Sequence, residues 1–92
     1  MKTGVAQQRQ FPRYDHCCTI QYKLSDPSAS EVFSGVTRNI GLGGICLYVY
    51  RRFEEGQKIH IISKLPVGSA TAELRWIEKE NSLYVSGWMF VD

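Results

Sequence analysis

The sequence predicts an all-β protein, a small six-stranded antiparallel β-barrel, and three observations carry that prediction. Six short segments alternate apolar and polar residues with the period of a half-buried strand. Turn-forming residues separate them at regular intervals, and no segment has the apolar spacing of a convincing amphipathic helix. The chain has 92 residues, and a single domain of that size buries only about 60–65% of its surface. Closing the sheet on itself removes the exposed edges that so small a domain has little else to cover.

Residues 1–8 are polar and weakly patterned, and are expected to form a flexible N-terminal arm ahead of a single barrel domain over residues 9–92. Arg9-Gln10-Phe11-Pro12-Arg13 comes next. Pro12 resists helix and biases Phe11 toward extended geometry, so two arginines flank a stiffened turn. From Cys17 to Leu24 the residues alternate, with Cys18, Ile20, Tyr22 and Leu24 on one face, which makes the first strand. Ser25 to Ser30, with Pro27 inside it, is a connector, and Val32 to Asn39 is the second strand.

A tight corner follows, in which Gly41, Gly43 and Gly44 allow close approach and Asn39 can brace the turn or meet a ligand. Ile45 to Val49 is short, β-branched and aromatic, and forms the third strand. Arg51 to Gln57 reads as a loop with one helical turn, and Lys58 to Ser63 alternates around Ile59 and Ile61 as the fourth strand. After Pro66 and Gly68, the fifth strand sets Ala70, Ala72, Leu74 and Trp76 on one face and Thr71, Glu73 and Arg75 on the other. Glu78 to Ser82 is a polar turn, and Leu83 to Val91 is the last strand, with Tyr84, Trp88 and Phe90 on one face. Trp76, Trp88 and Phe90 share their alternation with aliphatic neighbours and are expected in the core.

Composition narrows the function classes. Hydrophobic residues make up 43% and charged residues 22%, as in a folded soluble domain. A net charge of +2 is too small to argue for bulk nucleic-acid binding, although individual arginines can grip a small anion. Arg51 and Arg52 beside Tyr48, Tyr50 and Phe53 are the candidates for a single-stranded nucleic-acid surface, against the plainer reading of a solvated basic loop. No apolar run approaches the ~18 residues of a membrane span and the start lacks a signal-peptide core, so no membrane insertion and a cytoplasmic location are expected. Cys17, Cys18 and Cys46 are odd in number and fit reduced thiols; with His16 they make no metal-ligand spacing. His16, His60, Asp15, Asp26 and Asp92 form no recognisable acid/base or nucleophile group, so no enzyme is expected.

The glycine corner has neither the spacing of a dinucleotide fingerprint nor the ending of a P-loop, but backbone N–H groups in a nest can still hold phosphate. Arginine pairs with phosphate, stacks on a base plane, and makes forked hydrogen bonds to guanine O6 and N7. Arg9 and Arg13, then Asn39-Ile40-Gly41-Leu42-Gly43-Gly44 after 25 intervening residues, stand together in order. In this the sequence resembles the PilZ family, whose signature is Arg-x-x-x-Arg followed by Asp/Asn-x-Ser-x-x-Gly and whose ligand is the bacterial second messenger cyclic di-GMP. The resemblance extends over Cys17 to Leu24, Ala72 to Trp76 and the ending Gly87-Trp88-Met89-Phe90.

The resemblance implies a signalling receptor or adaptor domain. Arg9 and Arg13 form its clamp on cyclic di-GMP, Asn39, Gly41 and Gly44 lie on the barrel side, and an unidentified downstream protein reads the bound state. It implies no cofactor and no metal. Two features depart from the family: Gly41 stands where it has serine, and the chain ends at Asp92 just after the last strand, so no substantial C-terminal helix is expected. The missing serine hydroxyl gives the alternative, a divergent barrel of the same family that binds no nucleotide and serves as a protein-protein interaction module.

Overall fold

The computed structural model describes residues 13–15, 17–26, 28, 30–66, 68 and 71–91. Its strands are β1 (Arg13–Asp15), β2 (Thr19–Leu24), β3 (Phe33–Gly41), β4 (Gly44–Val49), β5 (Lys58–Ile61), β6 (Thr71–Glu80) and β7 (Leu83–Phe90). All pairings are antiparallel, in the order β3-β2-β5-β6-β7-β4, and β4 pairs back to β3 so that six strands close a barrel. No helix occurs among the described residues. The barrel read from alternation is the barrel observed.

The short strand β1 was not foreseen. It pairs with β3 at Asn39–Gly41, while β2 pairs with Phe33–Val36. Because β4 occupies the other edge of β3, β1 and β2 lie end to end along one rail. Thr37 holds the break between them. Its hydroxyl accepts from the Cys18 N–H at 3.0 Å and donates to the Cys18 carbonyl at 3.3 Å, and its own N–H reaches the same carbonyl at 2.9 Å. That pairing satisfies a threonine with no exposed surface.

The core fills from the inward rows of every barrel strand: Ile20 and Tyr22, Ile40, Ile45 and Leu47, Ile59 and Ile61, Ala72 and Leu74, and Trp88. Phe53, from the loop after β4, joins Tyr22, Phe33 and Trp88 with ring centroids 5.7 to 6.1 Å apart. Trp88 Nε1 donates to Ser86 Oγ at 2.8 Å, and Ser86 Oγ donates to the Leu47 carbonyl at 2.9 Å, so this buried polar chain is complete.

Tyr22 is the exception. Its hydroxyl is buried with no hydrogen-bond partner among the described residues, and burial pushes its phenol well above the ordinary range while Arg51 draws it the other way. An unmet buried hydroxyl destabilises a fold. Tyr22→Phe keeps the ring contacts and is expected to stabilise the domain by roughly 1–3 kcal/mol, read from the midpoint of urea unfolding.

Candidate functional site

Two β-bulges shape one side of the barrel. The register of β3 against β4 shifts between Thr37 and Asn39, leaving Arg38 as the extra residue. The register of β6 against β7 shifts between Leu74 and Trp76, leaving Arg75 as the extra residue. A bulge bends its strand and re-aims the residues that follow. Both extra residues here are arginines, both are exposed, and both line the same groove.

The second bulge explains why Trp76 departs from its expected place. Leu74 pairs with Trp88 on the inward row, and strict alternation would put Trp76 inward as well. The inserted Arg75 reverses the parity, so Trp76 pairs with Gly87 on the outer face and is 45% exposed. Trp88 is buried as expected, and Phe90 packs partly buried against the core. The strand also runs on to Glu80, so the polar turn shrinks to Asn81 and Ser82.

Register aligns an outer row across four strands. Asn39 on β3 is opposite Cys46 on β4, Cys46 is opposite Gly87 on β7, and Gly87 is opposite Trp76 on β6. The neighbouring row, Ile40, Ile45, Trp88 and Leu74, is buried, which fixes the first row as outward. Gly87 is needed there. A Cβ on it would overlap Nε1, Cε2 and Cδ1 of the Trp76 indole, so the ring lies across the bare backbone of β7.

The result is a groove of about 440 Å³. Arg38 and Asn39 form one side, Arg75 and Trp76 the other, with Cys46 and Gly87 between them and Gly43 and Met89 at the corner end. Among the described residues, its lining has two guanidinium groups and no carboxylate. Such a groove offers an aromatic face, forked cationic donors and an amide side chain. Those groups suit a planar heterocycle carrying phosphate.

Of the residues singled out from sequence, Asn39 lines this groove. Gly41 closes β3 and Gly44 opens β4, both buried, flanking the exposed Leu42 at the tip of the corner. Gly44 pairs with Met89, and the Phe90 N–H donates to the Gly43 carbonyl at 3.1 Å. The β1 register sets Arg13 opposite Gly41 and Asp15 opposite Asn39. Arg9 lies outside the described residues. Sequence reasoning missed Arg38, Arg75 and Trp76 as site residues. Gly87 was the available signal, since a glycine inside an aromatic strand marks a close approach.

The family model for the PilZ domain matches residues 7–92. No curated protein gives a match. Among solved structures, the chain is similar to the Bacillus subtilis inhibitor of motility MotI (DgrA), with 21% identity and a TM-score of 0.67 over 91% of this chain and 43% of that one. It is also similar to YcgR from Escherichia coli, solved in complex with c-di-GMP, with 15% identity and a TM-score of 0.62 over 92% of this chain and 38% of that one. The chain thus spans less than half the length of either protein. At these identities the likeness is one of fold.

Proposed function

Because this chain belongs to the PilZ domain family, we propose that it is a receptor domain for cyclic di-GMP that acts by binding and not by catalysis. One observation carries the reading: the aligned outer row of Asn39, Cys46, Gly87 and Trp76, with an indole lying on bare backbone in a groove that two bulge arginines also line. Guanine stacks on the Trp76 ring, and arginine forks hold guanine edges and phosphates. Asn39, Gly41 and Gly44 supply the rigid side of the site. Arg9 and Arg13 supply the clamp, and a downstream protein reads the surface that the arm forms when it closes.

The c-di-GMP complex of the structurally similar YcgR supports the choice of ligand. The test is calorimetric titration of the purified protein with cyclic di-GMP. Binding at or below about 100 μM, near the weak end of useful affinities, is the expected result. No heat and no change in tryptophan fluorescence at that concentration would remove the proposal.

Gly41 favours the second reading, a PilZ barrel without nucleotide that serves as an interaction module. It lies two residues beyond Asn39 on β3 and so shares its outward parity. Gly41→Ser therefore returns a hydroxyl to the side of the sheet that carries Asn39. It is expected to tighten cyclic di-GMP binding roughly 2–12-fold, equivalent to one hydrogen bond of about 0.5–1.5 kcal/mol. If Gly41→Ser leaves a measurable affinity unchanged, glycine at this position is not what limits the site.

A further inference from the structure

A second groove, of about 300 Å³, opens at the other end of the barrel, where β3 begins and the chain leaves β4. It is lined by Tyr22, Val32, Phe33, Ser34, Tyr50 and Arg51. None of these residues belongs to the groove around Trp76. Two of the more exposed large apolar side chains of the protein stand on its rim, Val32 at 49% and Tyr50 at 60%.

Its polar groups are prepared and unspent. The Arg51 guanidinium carbon lies 4.9 Å from the centroid of the Phe33 ring and 5.2 Å from that of Phe53, so two aromatic faces hold a planar fork in position. Among the described residues Arg51 has no carboxylate partner. Tyr22, with no exposed surface and an unmet hydroxyl, lies at the bottom. Arg51 is near enough to Tyr22 to draw its phenol pKa downward. A guanidinium and a phenol O–H are both donors, and a fixed pair of donors lacking an acceptor calls for one. A carboxylate accepts from both, carries a single charge to balance Arg51, and matches the guanidinium fork.

We propose that this groove is a second ligand site, independent of the nucleotide site, for a small monocarboxylate on a ring-sized apolar body. Its carboxylate accepts from Arg51 and from the Tyr22 hydroxyl, and its apolar part rests against Val32 and Tyr50. The volume accommodates a small molecule of this kind. The apolar lining disfavours a doubly charged phosphate, whose second charge has no partner there.

The experiment uses the 92-residue protein and two probes of nearly equal shape, phenylacetate and its neutral amide phenylacetamide, followed through backbone amide NMR shifts. Phenylacetate is expected to move the signals of Val32, Ser34, Tyr50 and Arg51 together, and phenylacetamide to bind at least about tenfold more weakly. Arg51→Gln and Tyr22→Phe are each expected to weaken phenylacetate binding about tenfold or more, while cyclic di-GMP titration of both variants matches the parent. Tyr22→Phe also raises the melting temperature of the unliganded protein. A purely structural Tyr22 would give that rise with no loss of phenylacetate affinity. Equal binding of the amide, shifts centred elsewhere, or no shifts on the order of 10 mM, well below useful affinity, would each overturn the proposal.

Discussion

Trp88→Ala is expected to cost about 3–5 kcal/mol of folding stability, whereas Trp76→Ala is expected to leave the fold close to its parent stability. The two tryptophans make the same chemical change at opposite sides of one sheet. Trp88 is 1% exposed, meets the Phe53 ring at 5.7 Å, and anchors the buried chain from Ser86 Oγ to the Leu47 carbonyl. Removing it opens a large cavity and strands the Ser86 hydroxyl with one partner fewer. A domain of this length has roughly 5–14 kcal/mol of stability to draw on, so Trp88→Ala populates unfolded chain under mild denaturant. Trp76 lies across Gly87 on the outside, and its loss uncovers backbone without opening the core. Its expected cost falls on cyclic di-GMP binding, about 1–3 kcal/mol for a lost base stack. Urea unfolding and calorimetry on the two variants separate the effects. A Trp76→Ala variant that unfolds as easily as Trp88→Ala would contradict the outward placement.

The same pair marks how far the sequence could be read. Six barrel strands follow from alternation because each has one face in the core, and Ile20 with Tyr22, Ile59 with Ile61, and Ala72 with Leu74 are buried on the parity their spacing predicts. Trp76 defeats that logic through one inserted residue. A bulge leaves no mark in the alternation ahead of it, and Arg75 looks like an ordinary polar position until its partner strand is known. Arg38 is hidden in the same way by the bulge in β3. The groove around Asn39 is assembled from β3, β4, β6 and β7, and only the ladder register joins them. Asn39 itself was legible because it sits in a local motif with the glycine corner.

β1 was illegible for a different reason. Three residues, Arg13–Asp15, are too few to show a period, and their strand character comes from pairing with Asn39–Gly41, far along the chain. What looked like a stiffened turn bearing two arginines is, at its second arginine, part of the sheet. That changes the picture of the clamp. In the proposed clamp, Arg13 stands on β1 opposite Gly41 by backbone register, and Arg9 lies outside the described residues.

The double substitution Arg9→Ala, Arg13→Ala is accordingly expected to remove the most binding energy of any change at the proposed nucleotide site. Hydrogen bonds to charged groups contribute about 1.5–3 kcal/mol each, so losing both guanidiniums lowers cyclic di-GMP affinity by a hundredfold or more, at unchanged urea midpoint. Arg13→Lys sharpens the point. It keeps the positive charge and loses only the planar fork, which lysine cannot replace in a bidentate contact. If the fork is what recognises the ligand, Arg13→Lys binds nearly as weakly as Arg13→Ala, and raising the salt concentration changes both alike. If charge alone sufficed, lysine would restore most of the affinity at low salt and lose it again as screening grows. Titrations of the two single variants at low and high ionic strength decide between a shaped recognition of guanine or phosphate and a general attraction for anions. Fork recognition is the outcome expected for an arginine that β1 pairing holds beside Gly41.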